Sequence, residues 1–108
     1  MKLPPDTLIA RRKISHYLLV CRPEDDKSAF LARAGYVPES ADRLSEDVRT
    51  QLLPMEGRLV ERDEYGTKYE INAKLTGPNG RTLRVVSIWM IEHADGNAKF
   101  ATLYPDKT

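Results

Sequence analysis

The sequence predicts an α+β domain in which two or three N-terminal helices pack on one face of a C-terminal four-stranded antiparallel sheet. Two patterns predict this fold class: apolar residues recur with helical spacing before Pro54 and with a period of two after it. The length of 108 residues is enough for one hydrophobic core but not for two. We therefore expect a single domain over residues 1–108, with a helical layer at about 6–54 and a sheet at about 57–105.

Three helices are predicted in the first half. The first runs from Arg12 to Cys21 and would end at Pro23. The second starts after a cap at Asp25 or Asp26 and ends at a glycine, Gly35. The third starts after a cap at Ser40 and ends before Pro54. Their buried faces, in chain order, carry Ile14, Tyr17, Leu18 and Cys21, then Phe30, Leu31 and Ala34, then Leu44, Val48 and Leu52.

Four strands are predicted after Pro54, each bounded by residues that are typical of turns. Their expected ranges are about 58–62, 67–75, 82–91 and 99–104. The turns between them are Asp63–Gly66, Gly77–Gly80 and Ala94–Asn97. Because each turn is short, neighbouring strands are expected to be antiparallel, which gives a meander.

Two-residue loops at the second and third turns would decide which residues share a face. A loop at Asp95-Gly96 pairs Ala94 with Asn97. A two-residue loop at either Pro78-Asn79 or Asn79-Gly80 places odd positions of the second strand beside even positions of the third. The face expected against the helices then carries Tyr69, Ile71, Ala73, Leu75, Val86, Ile88, Met90, Ala101 and Leu103. The opposite, open face is expected to carry Lys68, Glu70, Asn72, Lys74, Ser87, Trp89, Phe100, Thr102 and Tyr104.

Composition and charge exclude several classes of protein. Seventeen basic and sixteen acidic residues give a net charge of +1, which is not the strong basic excess of many nucleic-acid-binding proteins. The single cysteine, Cys21, excludes an internal disulfide and a cysteine-based zinc cluster. No apolar run approaches the length that spans a bilayer, and no signal-peptide pattern is visible. We therefore expect a cytoplasmic protein with no membrane contact, no metal and no other cofactor.

Short segments spread over nearly the whole chain resemble, in the same order and at matching spacing, a bacterial family that is catalogued as a domain of unknown function. The matching segments are Lys13–Leu19, Lys27–Tyr36, Tyr65–Tyr69, Gly77–Arg81, Ile88–Met90 and Thr102–Pro105. The chain departs from the family at Cys21–Asp26, where relatives often have a histidine and a glycine, and at Lys99, where many have arginine. If either missing group is catalytic in relatives, this copy is altered or inactive.

The resemblance also implies a function. Some members of that family look like toxin modules of larger bacterial effectors. Helices followed by a four-stranded antiparallel sheet further resemble the barnase-like and RelE-like ribonuclease toxin fold, in which the open face of the sheet binds RNA. By this analogy of fold, the chain would be a metal-independent toxin-type ribonuclease or an inactive relative of one.

The expected open face carries residues that suit cleavage of RNA. Glu70 could act as the base, Lys68 could stabilise charge on the phosphate, and Tyr104 or Thr102 could donate a hydrogen bond. Four residues are expected to bind RNA or a partner: Lys27, Ser87, Trp89 and Thr102. Trp89 could stack on a base, and Lys27 could reach the edge of the sheet. The same residues are also what a solvated sheet surface would carry, since polar residues normally alternate outward in antiparallel sheets.

The alternative function is a non-catalytic protein-interaction module, such as an immunity-like, antitoxin-like or docking domain. The balanced net charge and the missing family elements favour this alternative. The charge pattern of the open face should separate the two functions. An RNA enzyme needs a positive cleft, whereas a protein-binding face has a rim of mixed charge around an apolar centre. The sequence alone leaves open whether the protein is an enzyme.

Overall fold

The computed structural model describes residues 2–19 and 27–106, and it has a helical first half followed by an antiparallel sheet. Its helical segments are α1 (Arg11–Lys13), which continues as a π-helix (Ile14–Leu18), α2 (Lys27–Ala32), a 3-10 turn (Pro38–Ser40), and α3 (Ala41–Asp47), which continues as a second π-helix (Val48–Leu52). Its strands are β1 (Arg58–Arg62), β2 (Gly66–Thr76), β3 (Thr82–Glu92) and β4 (Ala98–Pro105). In the described ranges they form one sheet in the order β1-β2-β3-β4.

The predicted class and the predicted meander are therefore confirmed, and each strand boundary lies within one residue of its expected position. Ser40 precedes α3, as expected, but its hydroxyl accepts a hydrogen bond from the backbone N–H of Val37 (3.2 Å) rather than capping α3. Four residues used to predict the first two helices lie outside the described part of the chain: Cys21, Pro23, Asp25 and Asp26.

Buried side chains from both halves of the chain belong to one hydrophobic cluster. Its fully buried members include Ile14, Leu18, Leu31, Leu44, Val48 and Leu52 from the helical half and Ile71, Leu75, Val85, Trp89 and Leu103 from the sheet. The side chain of Gln51 joins the two halves, because its amide accepts a hydrogen bond from Thr76 N–H (2.7 Å) and donates one to the Thr76 carbonyl (3.0 Å). The predicted apolar stripe of the third helix is thus a part of the core.

A buried polar group lies next to this cluster. The Tyr36 hydroxyl donates a short hydrogen bond to Asp47 (2.6 Å), and the Arg43 guanidinium donates to the same carboxylate (3.0 Å). Burial, followed by the contact with Asp47, raises the pKa of Tyr36 well above its usual range. The pair ties the turn after α2 to the end of α3.

A segment near the N-terminus lies against β4 and was not predicted. Leu8 donates to the Ala98 carbonyl (3.0 Å) and accepts from Phe100 N–H (2.8 Å), which makes a parallel bridge. Arg49 holds this segment in place by donating hydrogen bonds to the carbonyls of Pro5 (2.9 Å) and Thr7 (3.0 Å). The bridge satisfies part of the outer edge of β4, which would otherwise be open to pairing.

The register between β2 and β3 differs from the prediction. Odd positions pair with odd positions, so that Tyr69 lies opposite Trp89 and Ile71 lies opposite Ser87. The expected pairing of odd with even positions is therefore wrong, and Val86, Ile88 and Met90 do not lie on the core face. The residues that take their place are Leu83, Val85, Ser87 and Trp89, all of them buried.

The loop between β2 and β3 explains this difference. Gly77 N–H donates to the Arg81 carbonyl (2.9 Å) and Gly80 N–H donates to the Gly77 carbonyl (3.0 Å), which leaves three residues in the loop. Gly80 has a left-handed backbone, with φ of +84°. Pro78, whose ring fixes φ near −65°, suits this loop and cannot occupy the first position of a two-residue turn. A loop with an odd number of residues shifts the pairing by one position.

The register between β3 and β4 also differs, for two reasons. The last pair before the turn is Ile91 with Ala98, so the connection is longer than the predicted Asp95-Gly96 loop. An irregularity then shifts the pairing between Ile88 and Trp89. Phe100 lies opposite Trp89 and is buried with it, although the sequence placed it on the open face, and the irregularity brings Leu103 opposite the buried Ser87.

Gly77 is expected to tolerate no side chain. A Cβ at this position would lie 2.1 Å from the Ala34 carbonyl oxygen, whereas a Cβ at Gly80 would meet open space. We expect Gly77→Ala to lower the free energy of unfolding by about 3 kcal/mol through overpacking. The matched change Gly80→Ala, which costs only the strain of its left-handed backbone, should lower it by about 1 kcal/mol. Urea denaturation of both variants would measure the difference, and equal losses would contradict the close contact.

Tyr36→Phe should change the pH dependence of stability. Because its folded pKa is raised, the contribution of Tyr36 is complete below about pH 10 and is lost as the pH rises further. At pH 7 the variant should be less stable by about 1–2 kcal/mol, since Asp47 loses a donor. The difference from the wild type should then shrink between about pH 10 and pH 12. Tyr104→Phe, at an exposed position, serves as the control and should leave the curve parallel to that of the wild type.

Candidate functional site on the outer face of the sheet

One side of the sheet carries residues that belong to the core cluster, and the other side carries residues that lie outside it. We call this side the outer face. On its last three strands it carries Lys68, Glu70, Asn72 and Lys74 from β2, Arg84, Val86, Ile88 and Met90 from β3, and Lys99, Thr102 and Tyr104 from β4. Alternation along each strand places these side chains opposite the buried ones.

The centre of the outer face is apolar. Val86 is buried although it is not a member of the core cluster, and Ile88 and Met90 are half-buried. Across β3, Val86 lies opposite Tyr104 and Ile88 lies opposite Thr102. Three aliphatic side chains in a row on the middle strand therefore form a stripe that reaches solvent.

Ion pairs surround this apolar stripe. Glu70 accepts from Arg58 (3.0 Å), and Lys68 lies 3.2 Å from a carboxylate oxygen of Glu61. On β4, Lys99 contacts the carboxylate of Glu92 (3.2 Å) and, more weakly, that of Asp95, and these contacts raise the pKa of Lys99. Positive and negative groups thus alternate around the stripe instead of forming a single positive cleft.

The three residues expected to be catalytic, Lys68, Glu70 and Tyr104, do lie on this face. Lys68 and Glu70 are each held in an ion pair, and Tyr104 is 38% exposed. Glu70 lies opposite Ile88 on β3, and Tyr104 lies on β4 beyond it, so that two strand spacings, about 10 Å, separate the carboxylate strand from the phenol strand. The register therefore does not place Tyr104 beside Glu70.

The four residues expected to bind RNA or a partner are in three different environments. Thr102 is half-buried on the outer face. Lys27 is buried at the start of α2. Ser87 and Trp89 lie in the core, so their expected position on the open face is wrong. Trp89 donates from its indole N–H to the Ser87 hydroxyl (2.8 Å), and that hydroxyl donates to the Ile71 carbonyl (3.0 Å).

Trp89 also packs edge-to-face on Phe100, with ring centroids 5.1 Å apart and an angle of 70° between the planes. This geometry is favourable for aromatic pairs in protein interiors. The residue that could have stacked on a base is thus part of the folded core. The sequence did not single out five outer-face residues, and only the correct register would have found the last four: Arg58, Arg84, Val86, Ile88 and Met90.

His93 lies at the turn after β3 and is exposed. Its Nε2 atom is 3.4 Å from the Thr67 hydroxyl, and its backbone N–H donates to the Tyr65 carbonyl (2.8 Å). A shallow cavity beside it is bordered by Tyr65 and Met90. Within the described ranges, no three His, Cys, Asp or Glu side chains are grouped so that they could hold a metal ion.

Comparison with known families gives one match. Residues 4–107 match the family described as a domain of unknown function (DUF6883). The chain belongs to this family. None of the curated proteins and none of the solved structures matches it. The family therefore supplies neither an activity nor a fold name, and the likeness to ribonuclease toxins stays a prediction. In the part of the chain that the structure describes, no helix is long and apolar enough to cross a membrane.

The burial of the single tryptophan gives a direct test of the register. We expect the fluorescence of Trp89 to be blue-shifted and poorly quenched by iodide, because the indole is inaccessible in the folded protein. A double variant, Trp89→Phe with Tyr104→Trp, moves the indole to the outer face and should be quenched readily. Efficient quenching of Trp89 in the folded wild type would show that Trp89 is exposed, as the register predicted from the sequence requires.

Proposed function

We propose that this domain is a non-catalytic protein-interaction module, of the immunity, antitoxin or docking type, that binds a partner protein on the outer face of its sheet. The observation that carries this proposal is the apolar stripe of Val86, Ile88 and Met90 inside a rim of ion pairs. Protein interfaces have this anatomy, with an apolar centre and a polar rim. In this proposal the helical segments cover the core face, the outer face meets the partner, and binding takes place in the cytoplasm.

The charges of the rim support a protein rather than RNA as the occupant. A phosphate backbone laid along the face would meet the carboxylates of Glu61, Glu70 and Glu92 over the part away from the loop between β2 and β3. A protein surface can match both signs, since its own Lys, Arg, Asp and Glu can pair with a mixed rim. The aliphatic stripe also suits protein side chains better than bases, which bind to aromatic rings.

A metal-independent ribonuclease is the second candidate. The observation in its favour is that Lys68, Glu70 and Tyr104 share one face with two further cations, Lys74 and Arg84. A working site, however, needs its base within hydrogen-bonding distance of the proton that it takes, and its cations need to be available to the phosphate. The ion pairs of Glu70 and Lys68 and the distance to Tyr104 do not favour this arrangement.

A crosslinking experiment would test the interaction module. A photo-reactive amino acid is placed at Ile88, and the control carries it at Val37, which is 47% exposed and lies outside the sheet. We expect a crosslink to one protein from Ile88 and none to that protein from Val37. The crosslinked protein is then purified, so that its affinity can be measured directly by calorimetry.

With the purified partner, Ile88→Lys should weaken binding by at least about 10-fold, because a charge would enter the apolar centre of the interface. Val37→Lys should leave the affinity unchanged. Far-UV circular dichroism of both variants would verify that they are folded. Unchanged binding by Ile88→Lys would place the interface elsewhere and refute the proposed site.

Incubation with total RNA in EDTA separates the two candidate functions. The interaction module predicts intact RNA with the wild type and with the Lys68→Ala and Glu70→Ala variants. Cleavage by the wild type that both variants lose would overturn the proposal and establish a ribonuclease on the outer face. Cleavage that survives both changes would also overturn it, and would place the catalytic residues elsewhere.

A further inference from the structure

Four basic residues gather at the end of the sheet where β2 turns into β3. Lys74 and Arg84 lie directly opposite each other on the outer face, and both are exposed. Arg81 ends the loop, and Arg33 lies beside it, since the Asn79 side chain donates to the Arg33 carbonyl (3.2 Å). We call these residues the hairpin cations.

Within residues 2–19 and 27–106 the hairpin cations have no salt-bridge partner, whereas Arg58, Lys68 and Lys99 on the outer face each have one. On the rest of the outer face, the carboxylates of Glu61, Glu70 and Glu92 are each matched by a cation of the same chain. Two like charges directly opposite on neighbouring strands destabilise a sheet. The charge that the folded chain leaves unmatched on this face is therefore positive, and it is concentrated at one end.

A cavity adjoins the hairpin cations and has a mixed lining. Arg33 and Arg84 border it on the polar side, together with Asp106, while Phe30, Leu83 and Pro105 supply apolar surface. Phe30 also packs against the core cluster, which holds that wall in place. A ligand that combines carboxylates with an apolar side chain would match the two arginines and the apolar wall, with its carboxylates directed away from Asp106.

The opposite end of the sheet has the opposite charge. Asp63 and Asp95 each accept hydrogen bonds from the backbone N–H groups of their own turns, and these bonds lower the pKa of both groups. Glu64 and Glu92 lie at the same end. A long polyanion such as RNA, laid along the face, would be repelled there, whereas a short acidic segment would reach only the hairpin cations.

We infer that the hairpin end binds an acidic peptide segment of the partner protein, with its carboxylates near Arg33, Lys74 and Arg84 and an apolar side chain in the adjoining cavity. This inference rests on the proposed function and names the chemistry of the partner. The apolar stripe would supply contact area, and the hairpin cations would orient the partner and speed its association.

The inference can be tested without the natural partner. The probe is a blocked six-residue peptide that repeats two glutamates and one leucine, titrated into isotope-labelled protein and followed by NMR. We expect the backbone signals of Lys74, Arg84 and the loop between them to shift, and the shifts to shrink in 0.5 M salt, where the Debye length is only about 4 Å. A peptide with glutamine in place of glutamate should bind at least about 10-fold more weakly.

Charge reversal supplies matched variants. In the double variant Lys74→Glu with Arg84→Glu, two negative charges replace the two positive charges that lie opposite each other on β2 and β3. The double variant should bind the peptide at least about 10-fold more weakly. The control, Arg12→Glu with Lys13→Glu, makes the same charge change on the helical half and should have no effect. Equal binding of the glutamate and glutamine peptides, or no binding at all, would refute the inference. Tighter binding of an oligouridylate than of the peptide would assign the cations to nucleic acid instead.

The two proposals can fail separately. If the purified partner responds to Ile88→Lys but not to the Lys74→Glu and Arg84→Glu pair, the interaction module stands and the acidic segment is wrong. If the glutamate peptide binds at the hairpin while Ile88→Lys leaves partner binding intact, the anion site stands and the proposed interface is wrong.

Discussion

The contact between Gly77 and Ala34 is the constraint on which both faces of the sheet depend. It brings the loop after β2 against the turn after α2 so closely that no side chain fits between them. Asn79 N–H donates to the Ala34 carbonyl (3.2 Å) at the same place. The loop is thereby held in its three-residue form, and this form sets the register of β3. Because a shift by one residue exchanges the two faces of a strand, one backbone contact decides that Trp89 is buried and Ile88 is not.

The sequence predicted the strands well because their signal is local. Alternation of apolar and polar residues and the turn residues placed every strand boundary within one residue. The register could not be predicted in the same way, because it depends on whether a loop has an even or an odd number of residues. Pro78 argued against a two-residue turn at Pro78-Asn79, since proline cannot adopt the positive φ of the first position, but it did not exclude a turn at Asn79-Gly80. The irregularity in β4 had no comparable signal.

The segments that carry the family resemblance include residues with plain structural roles. Gly35, with φ of +94°, and Tyr36 form the turn against which the loop of Gly77 packs. Trp89, in the matching segment Ile88–Met90, fills the core. A pattern built from such residues identifies the fold of a family without indicating what it binds. The predicted roles of Ser87 and Trp89 depended on the predicted register and place both residues on the wrong face, whereas Lys68 and Thr102 do lie on the outer face.

The distribution of charge on the outer face is informative because the net charge of the chain is close to zero. A net charge of +1 conceals a sheet with unmatched cations at one end and an excess of carboxylates at the other. Such a surface has a positive end and a negative end. A partner with the opposite arrangement of charge can therefore approach in only one orientation without repulsion. The apolar stripe between the two ends carries no charge and so does not favour either orientation of the partner. The contact area and the orientation of the partner therefore come from different residues: the area from the apolar stripe on β3, and the orientation from the charges at the two ends of the sheet.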